Sequence, residues 1–178
     1  HRSTLATAQL KWQASKPKDK KDSYAFVSSP HTTKTMPNPG HADPARPTER
    51  RHNGQEVIAL LGSHRNVLAW VNGHIHRNDI TPHAASGGRS FWEISTASHV
   101  DYPQLARVIE IADNKDGTIS LFTTLVESAA PHRTDFSDLT QTGLAALYRE
   151  LSYNAPGANP TLGGDANDRN TELVLKKG

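Results

Sequence analysis

The sequence predicts an α/β fold in which a mixed sheet is packed by flanking helices. Three observations lead to this class. First, segments with helical spacing of apolar residues alternate with short apolar runs. Second, one of those runs, at residues 66–72, has the pattern of a buried strand. Third, two further apolar segments flank the turn sequence at residues 114–117. Strands interleaved with helical segments are typical of sheets covered by helices.

The first elements follow from capping residues and from proline. Residues 4–14 are predicted to form a helix with Ser3 or Thr4 as its cap, because a short hydroxyl side chain there can satisfy a free backbone N–H. Residues 23–28 are predicted to form a strand. Residues 32–50 carry four prolines and are predicted to be a loop, since proline fits neither a helix interior nor a central strand.

The middle of the chain combines a helix with two strands. Residues 54–63 have apolar side chains on one helical face and follow Asn53, which is a plausible cap. Residues 66–72 form an apolar run short enough for a buried strand. Residues 91–97 are predicted to be another strand, after a glycine-containing loop.

A hairpin is predicted further along the chain. Residues 105–112 and 118–127 are both strand-like, and Gly117 in the intervening turn can adopt a positive φ angle. We expect the two strands to pair antiparallel and to extend the same sheet as residues 66–72.

The last part of the chain is predicted to contain one helix and a polar tail. Residues 138–152 have leucines on or near one face and begin at Ser137 or Asp138 as a cap. Residues 154–170 are rich in glycine, asparagine, proline and aspartate and are predicted to be an extended arm or disordered.

Composition limits the classes of function. A net charge of +2 over 178 residues does not suggest nucleic-acid binding, which calls for a clustered basic face. The absence of cysteine excludes disulfides and thiolate metal sites, and no apolar stretch reaches the ~20 residues of a membrane span. The 35% hydrophobic and 6% aromatic content is low for a self-sufficient globule and suits a part of a larger sandwich. Localisation stays open between the cytoplasm and export.

The most informative feature is the pair of histidines in Gly73-His74-Ile75-His76, directly after the apolar run. On an extended backbone, side chains at i and i+2 leave the same face, so both rings would point beyond the strand end. Neutral imidazoles are common ligands for zinc and iron. Taken alone, such a pair is more often a surface or structural feature than a metal site.

The surrounding residues strengthen the metal interpretation. A Gly-His-x-His motif closing an apolar strand resembles the last metal-binding motif of the calcineurin-like metallophosphoesterases, a superfamily that includes purple acid phosphatases and cyclic-nucleotide phosphodiesterases. The similarity spans roughly residues 4–131 and points to a bacterial, chiefly actinobacterial branch. Its other segments are residues 8–12 (AQLKW), 24–32 (YAFVSSPHT), 91–103 (FWEISTASHVDYP) and 116–124 (DGTISLFTT).

This resemblance implies the C-terminal half of a four-layer α-β-β-α sandwich, a mixed sheet with flanking helices. Residues 1–153 would belong to the metallophosphoesterase domain and residues 154–178 to a C-terminal arm. The Asp-x-His and Gly-Asn-His-Asp/Glu motifs of the family's first half are absent, and Gly164-Asp165 lies in the tail. We therefore expect a phosphoester hydrolase that needs its N-terminal half as a partner and is inactive alone. The alternative is a non-catalytic fragment or interaction domain that keeps the fold.

The resemblance also implies a ligand set for two divalent or mixed-valence ions of zinc, manganese or iron. His76 would bind one ion, while His74 and a histidine of an earlier motif would bind the other. In this chain Pro30 occupies the position of the usual ligand of that earlier motif. Either His31 is the ligand, from a shifted loop, or the second site is weakened; we expect His31.

Two further histidines are candidate catalytic residues. His83 and His99 follow strand-end loops that we expect to lie at the same edge, where each would touch the substrate phosphate or a partner of a metal ligand. The alternative for both is a loop histidine engaged in an ordinary hydrogen bond.

Overall fold

The protein is described from a computed structural model that covers residues 4–20, 22–36, 44–85 and 89–177. Within these residues the helices are α1 (Thr7–Asp19), α2 (Gly54–Gly62) and α3 (Gln141–Tyr153). The strands are β1 (Leu5–Ala6), β2 (Ala25–Ser28), β3 (Arg51–His52), β4 (Val67–Asn72), β5 (Asp79–Ala85), β6 (Arg89–Ser95), β7 (Ala106–Asp113), β8 (Thr118–Val126) and β9 (Thr171–Lys176). The predicted α/β class is confirmed.

A mixed four-stranded sheet with the order β2-β4-β6-β5 carries the histidine motif. Strands β2, β4 and β6 are parallel, and β5 returns antiparallel along β6. Ser28 of β2 pairs with Val71 of β4, and Asn72 of β4 pairs with Ser95 of β6. The segments that follow these three strands therefore leave the sheet at one edge, which we call the strand-end edge.

Strand β5 was not predicted. Its sequence, Asp79 to Ala85, contains Pro82 and has little of the β-branched and aromatic character that marks strands. Proline is tolerated there because β5 is the last strand of the sheet order, so the absent N–H faces no neighbouring strand.

The predicted hairpin forms, but it belongs to a different sheet. Strands β7 and β8 pair antiparallel around Gly117, whose φ of 90° suits the turn. The expectation that they extend the sheet of β4 is wrong, because they form a second sheet with the order β7-β8-β9. A buried face on β8, which includes Ile119 and Leu121, packs face to face on the first sheet and so buries more apolar surface than edge pairing would.

The core consists of two clusters, one on each side of the first sheet. Between the sheets lie Leu68, Ala69, Ile94, Ile119, Leu121, Leu173 and Leu175. Between the first sheet and α2 lie Met36, Val57, Leu61, Val67, Trp70 and Phe91, with Leu10 of α1 against them. The described residues thus show helices, first sheet and second sheet as successive layers, and both faces of β4 are covered, which explains its continuous apolar run.

The helix boundaries follow the caps. Asn53 caps α2 as predicted: its side chain accepts from the Glu56 backbone N–H at 3.0 Å, and the Glu56 carboxylate accepts from the Asn53 N–H at 2.9 Å. The predicted start of α1 at residue 4 is wrong, because Leu5 and Ala6 are used in β1 and the helix begins at Thr7. Ser3 lies outside the described residues.

The remaining helix also begins later than predicted. Its cap is Thr140, whose hydroxyl accepts from Gly143 N–H at 3.2 Å, rather than Ser137 or Asp138. Those two residues lie in local turns instead, and the Asp138 carboxylate accepts from the Thr140 N–H.

The C-terminal segment folds back onto both sheets rather than forming an extended arm. Two short 3₁₀ turns, Pro160–Gly163 and Ala166–Asp168, precede β9, which pairs with β8. The side chain of Asn78 is fully buried and donates to Gly163 O at 3.1 Å, while Arg107 donates to Asp168 O at 2.6 Å. These bonds fasten the segment beside the strand-end edge.

Candidate metal centre

His31 and His74 come together at the strand-end edge. His31 follows β2 by three residues and His74 follows β4 by two, and the parallel pairing of these strands brings the two loops side by side. The loops are joined directly by a bond from Gly73 N–H to Pro30 O at 3.4 Å. The two ring centroids are 4.3 Å apart, with 50° between the ring planes.

The loop that presents His31 is anchored to the sheet through Ser29. The Ser29 hydroxyl donates to the carbonyl oxygen of His31 at 2.9 Å and accepts from the indole Nε1 of Trp70 at 2.8 Å. Burial and the adjacent His74 ring both lower the pKa of His31. Its ring is therefore mainly neutral at pH 7 and keeps the lone pair that a metal ligand needs.

The backbone at the histidine motif is not extended. Strand β4 ends at Asn72, and both His74 (φ 68°) and His76 (φ 52°) adopt the left-handed conformation. Histidine is one of the residues enriched in that region, although it remains uncommon there. The expectation that both rings leave one face by strand alternation is wrong, because the alternation stops two residues before His74.

The ring of His76 points to a different partner. Its Nδ1 is hydrogen-bonded to the carboxylate of Asp101, and both side chains are about half exposed. Asp101 belongs to the loop that follows β6, where the Ser98 hydroxyl accepts from the N–H groups of Val100 and Asp101. His99 lies in the same turn and is exposed, so it can meet a molecule that approaches this edge.

A buried carboxylate supports both histidine loops. Glu93 of β6 is 4% exposed. Its Oε1 accepts from the Thr33 backbone N–H at 2.9 Å and from the Asn72 amide at 2.8 Å. Its Oε2 accepts from the Thr33 hydroxyl at 2.8 Å and lies 2.7 Å from His83 Nε2. Thr33 is two residues after His31, and Asn72 is two residues before His74.

These bonds keep Glu93 ionised in spite of its burial. Burial raises the pKa of its carboxyl, but the hydrogen bonds from His83, Thr33 and Asn72 outweigh that effect and the pKa lies below its ordinary value. An ionised carboxylate only accepts hydrogen bonds, so Nε2 of His83 carries the proton. The His83 side chain is 12% exposed and its ring lies 5.1 Å from that of Phe91. His83 is thus largely buried beside Glu93, the carboxylate that is hydrogen-bonded to both histidine loops.

The donor set fits part of a metal centre. Two imidazoles at contact distance, one of them kept neutral by burial, match the nitrogen ligands that zinc and iron accept. Among the residues that the structure describes, no group of three or more His, Cys, Asp and Glu side chains converges closely enough to hold an ion. A metal ion bound by His31 and His74 would therefore need additional ligands.

One arginine lies beside the histidine motif. Arg77 Nη2 is 3.9 Å from the Asp165 carboxylate, a long ion pair in which the Asp165 side chain is 88% exposed. Exposed pairs of this kind are worth ~0–1 kcal/mol, so Arg77 can exchange Asp165 for an anionic group at little cost.

Sequence reasoning missed the residues that hold the site together. Glu93 and Asn72 are buried polar residues within apolar strands, and a lone carboxylate in such a run is the signal that would have found the first. Asp101 carries no comparable signal, because its contact with His76 depends on how the loop after β6 turns.

No known family model matches this chain, and a search of curated proteins finds no significant match. The similarity to the metallophosphoesterases therefore rests on the motifs quoted above. No helix among the described residues is long and apolar enough to cross a membrane.

Proposed function

We propose that this chain carries the histidine ligands of a metal-dependent phosphoester hydrolase of the calcineurin-like metallophosphoesterase superfamily. The observation that carries the proposal is the contact between the rings of His31 and His74, whose centroids are 4.3 Å apart. The two residues lie in the loops that follow two adjacent parallel strands. Chain segments 43 residues apart meet there through their imidazoles, as the two histidine motifs of that superfamily would require.

The proposed architecture is the C-terminal half of a four-layer α-β-β-α sandwich. Support comes from the succession of helices, first sheet and second sheet. The outer face of the second sheet exposes Val108, Phe122 and Val174, which are 47%, 39% and 50% accessible. These exposed apolar side chains, which share the face with Glu110 and Glu172, are where a further helical layer would pack.

The proposed metal ligands are His31 and His74 for one ion and His76 for a second. Bound zinc, manganese or iron would supply Lewis-acid polarisation of a phosphoryl oxygen and a nucleophile from water at neutral pH. Bridging and terminal carboxylates would come from an N-terminal half, the proposed partner. His76 becomes available when it releases Asp101, which is exposed and can be solvated by water.

The other residues have proposed roles around the phosphoester. His99 is exposed on the loop after β6 and would donate to a phosphate oxygen. Arg77 would hold a phosphate with its guanidinium in place of Asp165. His83 would act through Glu93 rather than on the substrate, since its Nε2 is engaged with that carboxylate.

One observation favours the alternative of a non-catalytic domain. His76 is bonded to Asp101, and the described residues contain no three-ligand cluster. A chain that had lost its chemistry would keep the histidine pair as a packing contact and would use His76 only to fasten the loop after β6.

The test separates these two functions in the complete enzyme. We expect His76→Ala to abolish hydrolysis of an aryl phosphate and of its bis-ester in the presence of Mn²⁺. His31→Ala should cost as much if His31 is a ligand, and much less if the presence of Pro30 means that this site is already impaired. His132→Ala, on the exposed loop before α3, is the matched control. Full activity in His76→Ala would end the hydrolase proposal.

A further inference from the structure

Glu93 is the only described side chain that hydrogen-bonds to the flanks of both histidine loops. One of its oxygens accepts from Thr33 N–H and from the Asn72 amide, and the other accepts from the Thr33 hydroxyl. Asn72 is fixed in turn, because its Oδ1 accepts from the Ser95 hydroxyl and its backbone oxygen accepts from Thr96 N–H at 3.2 Å. The Asn72 amide therefore reaches Glu93 from a defined position.

We infer that Glu93 is a positioning residue that sets the separation of the His31 and His74 rings. It touches neither ring. From β6 it binds Thr33, two residues after His31, and Asn72, two residues before His74. The importance of this separation for a metal ion rests on the proposed function, but the positioning itself does not.

Removal of the carboxylate leaves several buried donors without an acceptor. Four groups approach its two oxygens: the Thr33 N–H, the Thr33 hydroxyl, the Asn72 amide and the His83 ring. An ionised carboxylate offers about four acceptor positions, whereas a leucine side chain offers none. In Glu93→Leu both groups of Thr33 and the Asn72 amide therefore lose these bonds.

The first measurement uses the 178-residue chain without metal. Proton NMR should show cross-relaxation between the ring protons of His31 and His74 in the parent chain. In Glu93→Leu we expect that signal to be lost and hydrogen exchange at Thr33 N–H to quicken by about tenfold or more.

The control is Thr123→Val in the second sheet. The Thr123 hydroxyl is buried and donates to Arg169 O at 2.7 Å, so its removal also deletes a buried bond but leaves the first sheet untouched. This variant should keep the ring signal. A folded Glu93→Leu that retains the ring signal at full strength would overturn the inference.

A second variant covers the case in which Glu93→Leu does not fold. Thr33→Val keeps the ionised carboxylate and the Thr33 N–H bond and removes the hydroxyl that donates to Oε2. It should weaken the ring signal in part, and an unchanged signal in it would overturn the inference.

A zinc titration then separates this inference from the proposed function. Removing groups that orient a ligand typically lowers metal affinity by about 10–100-fold, and we expect that loss in Glu93→Leu but not in Thr123→Val. If the parent chain binds no zinc while the ring signal still depends on Glu93, the proposed function fails and the positioning role stands. Equal zinc affinity in both variants and the parent, with the ring signal unchanged, would overturn the positioning role.

Discussion

Zinc binding to the 178-residue chain tests the ligand set most directly. The perturbation is His74→Ala, which removes one ring of the pair with His31. We expect the parent chain to bind at most one Zn²⁺ and to bind it weakly, because two imidazoles meet and no third ligand converges on them within the described residues. The variant should lose this binding.

The magnitude follows from the number of ligands in place. A structural zinc site with four ligands contributes about 10–16 kcal/mol, or roughly 2.5–4 kcal/mol for each ligand. Two imidazoles then give about 5–8 kcal/mol, which corresponds to a Kd between roughly 0.2 mM and 1 μM. His76 does not add to this sum unless it first gives up its bond to Asp101.

Isothermal titration calorimetry at neutral pH measures both stoichiometry and affinity. His132→Ala is the control for weak binding by surface histidines, since His132 is exposed and lies in a different loop. Two tight sites on the isolated chain would refute the reasoning, because the described residues supply ligands for only one. A single site that survives in His74→Ala would refute it equally.

Two further predictions concern stability. Glu56 accepts from the Asn53 N–H and from His52 and Arg50, which lowers its pKa from 4.5 to about 2. A carboxyl pKa that is lower in the folded than in the unfolded state stabilises the fold at pH values above the unfolded-state pKa, so this contribution should be lost as the pH falls from about 5 through 2. In urea unfolding measured across this pH range, Glu56→Gln should lack this decrease in stability, whereas the control Glu110→Gln should retain it. Arg107→Met should lower the free energy of unfolding by about 1.5–3 kcal/mol, because Asp168 O loses a charged donor. Hydrogen exchange should then be faster in β9, and unchanged amides there would contradict this role.

Local patterns were enough to predict the elements whose own residues decide them. Asn53 and Glu56 form both halves of a capping box within four residues, and α2 begins where they place it. The apolar run of β4 is buried on both faces and needs no knowledge of its partners to be recognised. The turn at Gly117 fixes the β7–β8 hairpin in the same local way.

Elements that depend on distant partners were missed. Leu173 and Leu175 alternate with exposed neighbours in β9, but one of those neighbours is the apolar Val174. The strand that pairs with β9 lies about fifty residues earlier, and the adjoining glycine-rich tail predicts an arm. The position of the hairpin was misjudged for a similar reason. Whether a strand extends a sheet or packs upon it depends on the faces of both partners, which no single segment contains.

The site was anticipated in part. The resemblance named His31 and His74 from separate motifs, and the structure places their rings in contact, although their role as ligands stays a prediction. Glu93 was not anticipated, because its importance lies in bonds to residues 60 and 21 positions away. The motif predicts that His76 binds a metal ion. In the structure its ring is hydrogen-bonded to Asp101, and this contact depends on how the loop after β6 turns.

The left-handed backbone at His74 and His76 has a consequence for how selection acts on these positions. Each residue holds a conformation that costs an L-amino acid roughly 1–2 kcal/mol and costs glycine almost nothing. Glycine would therefore be the more stable choice at both positions, and drift toward stability alone would erase the histidines. If the proposed function holds, these two positions give up stability for function, as proteins do where a side chain is needed more than a relaxed backbone. Alanine replacements carry the same backbone cost as histidine and so report on the ring alone, and the difference between the alanine and glycine replacements reports on the backbone.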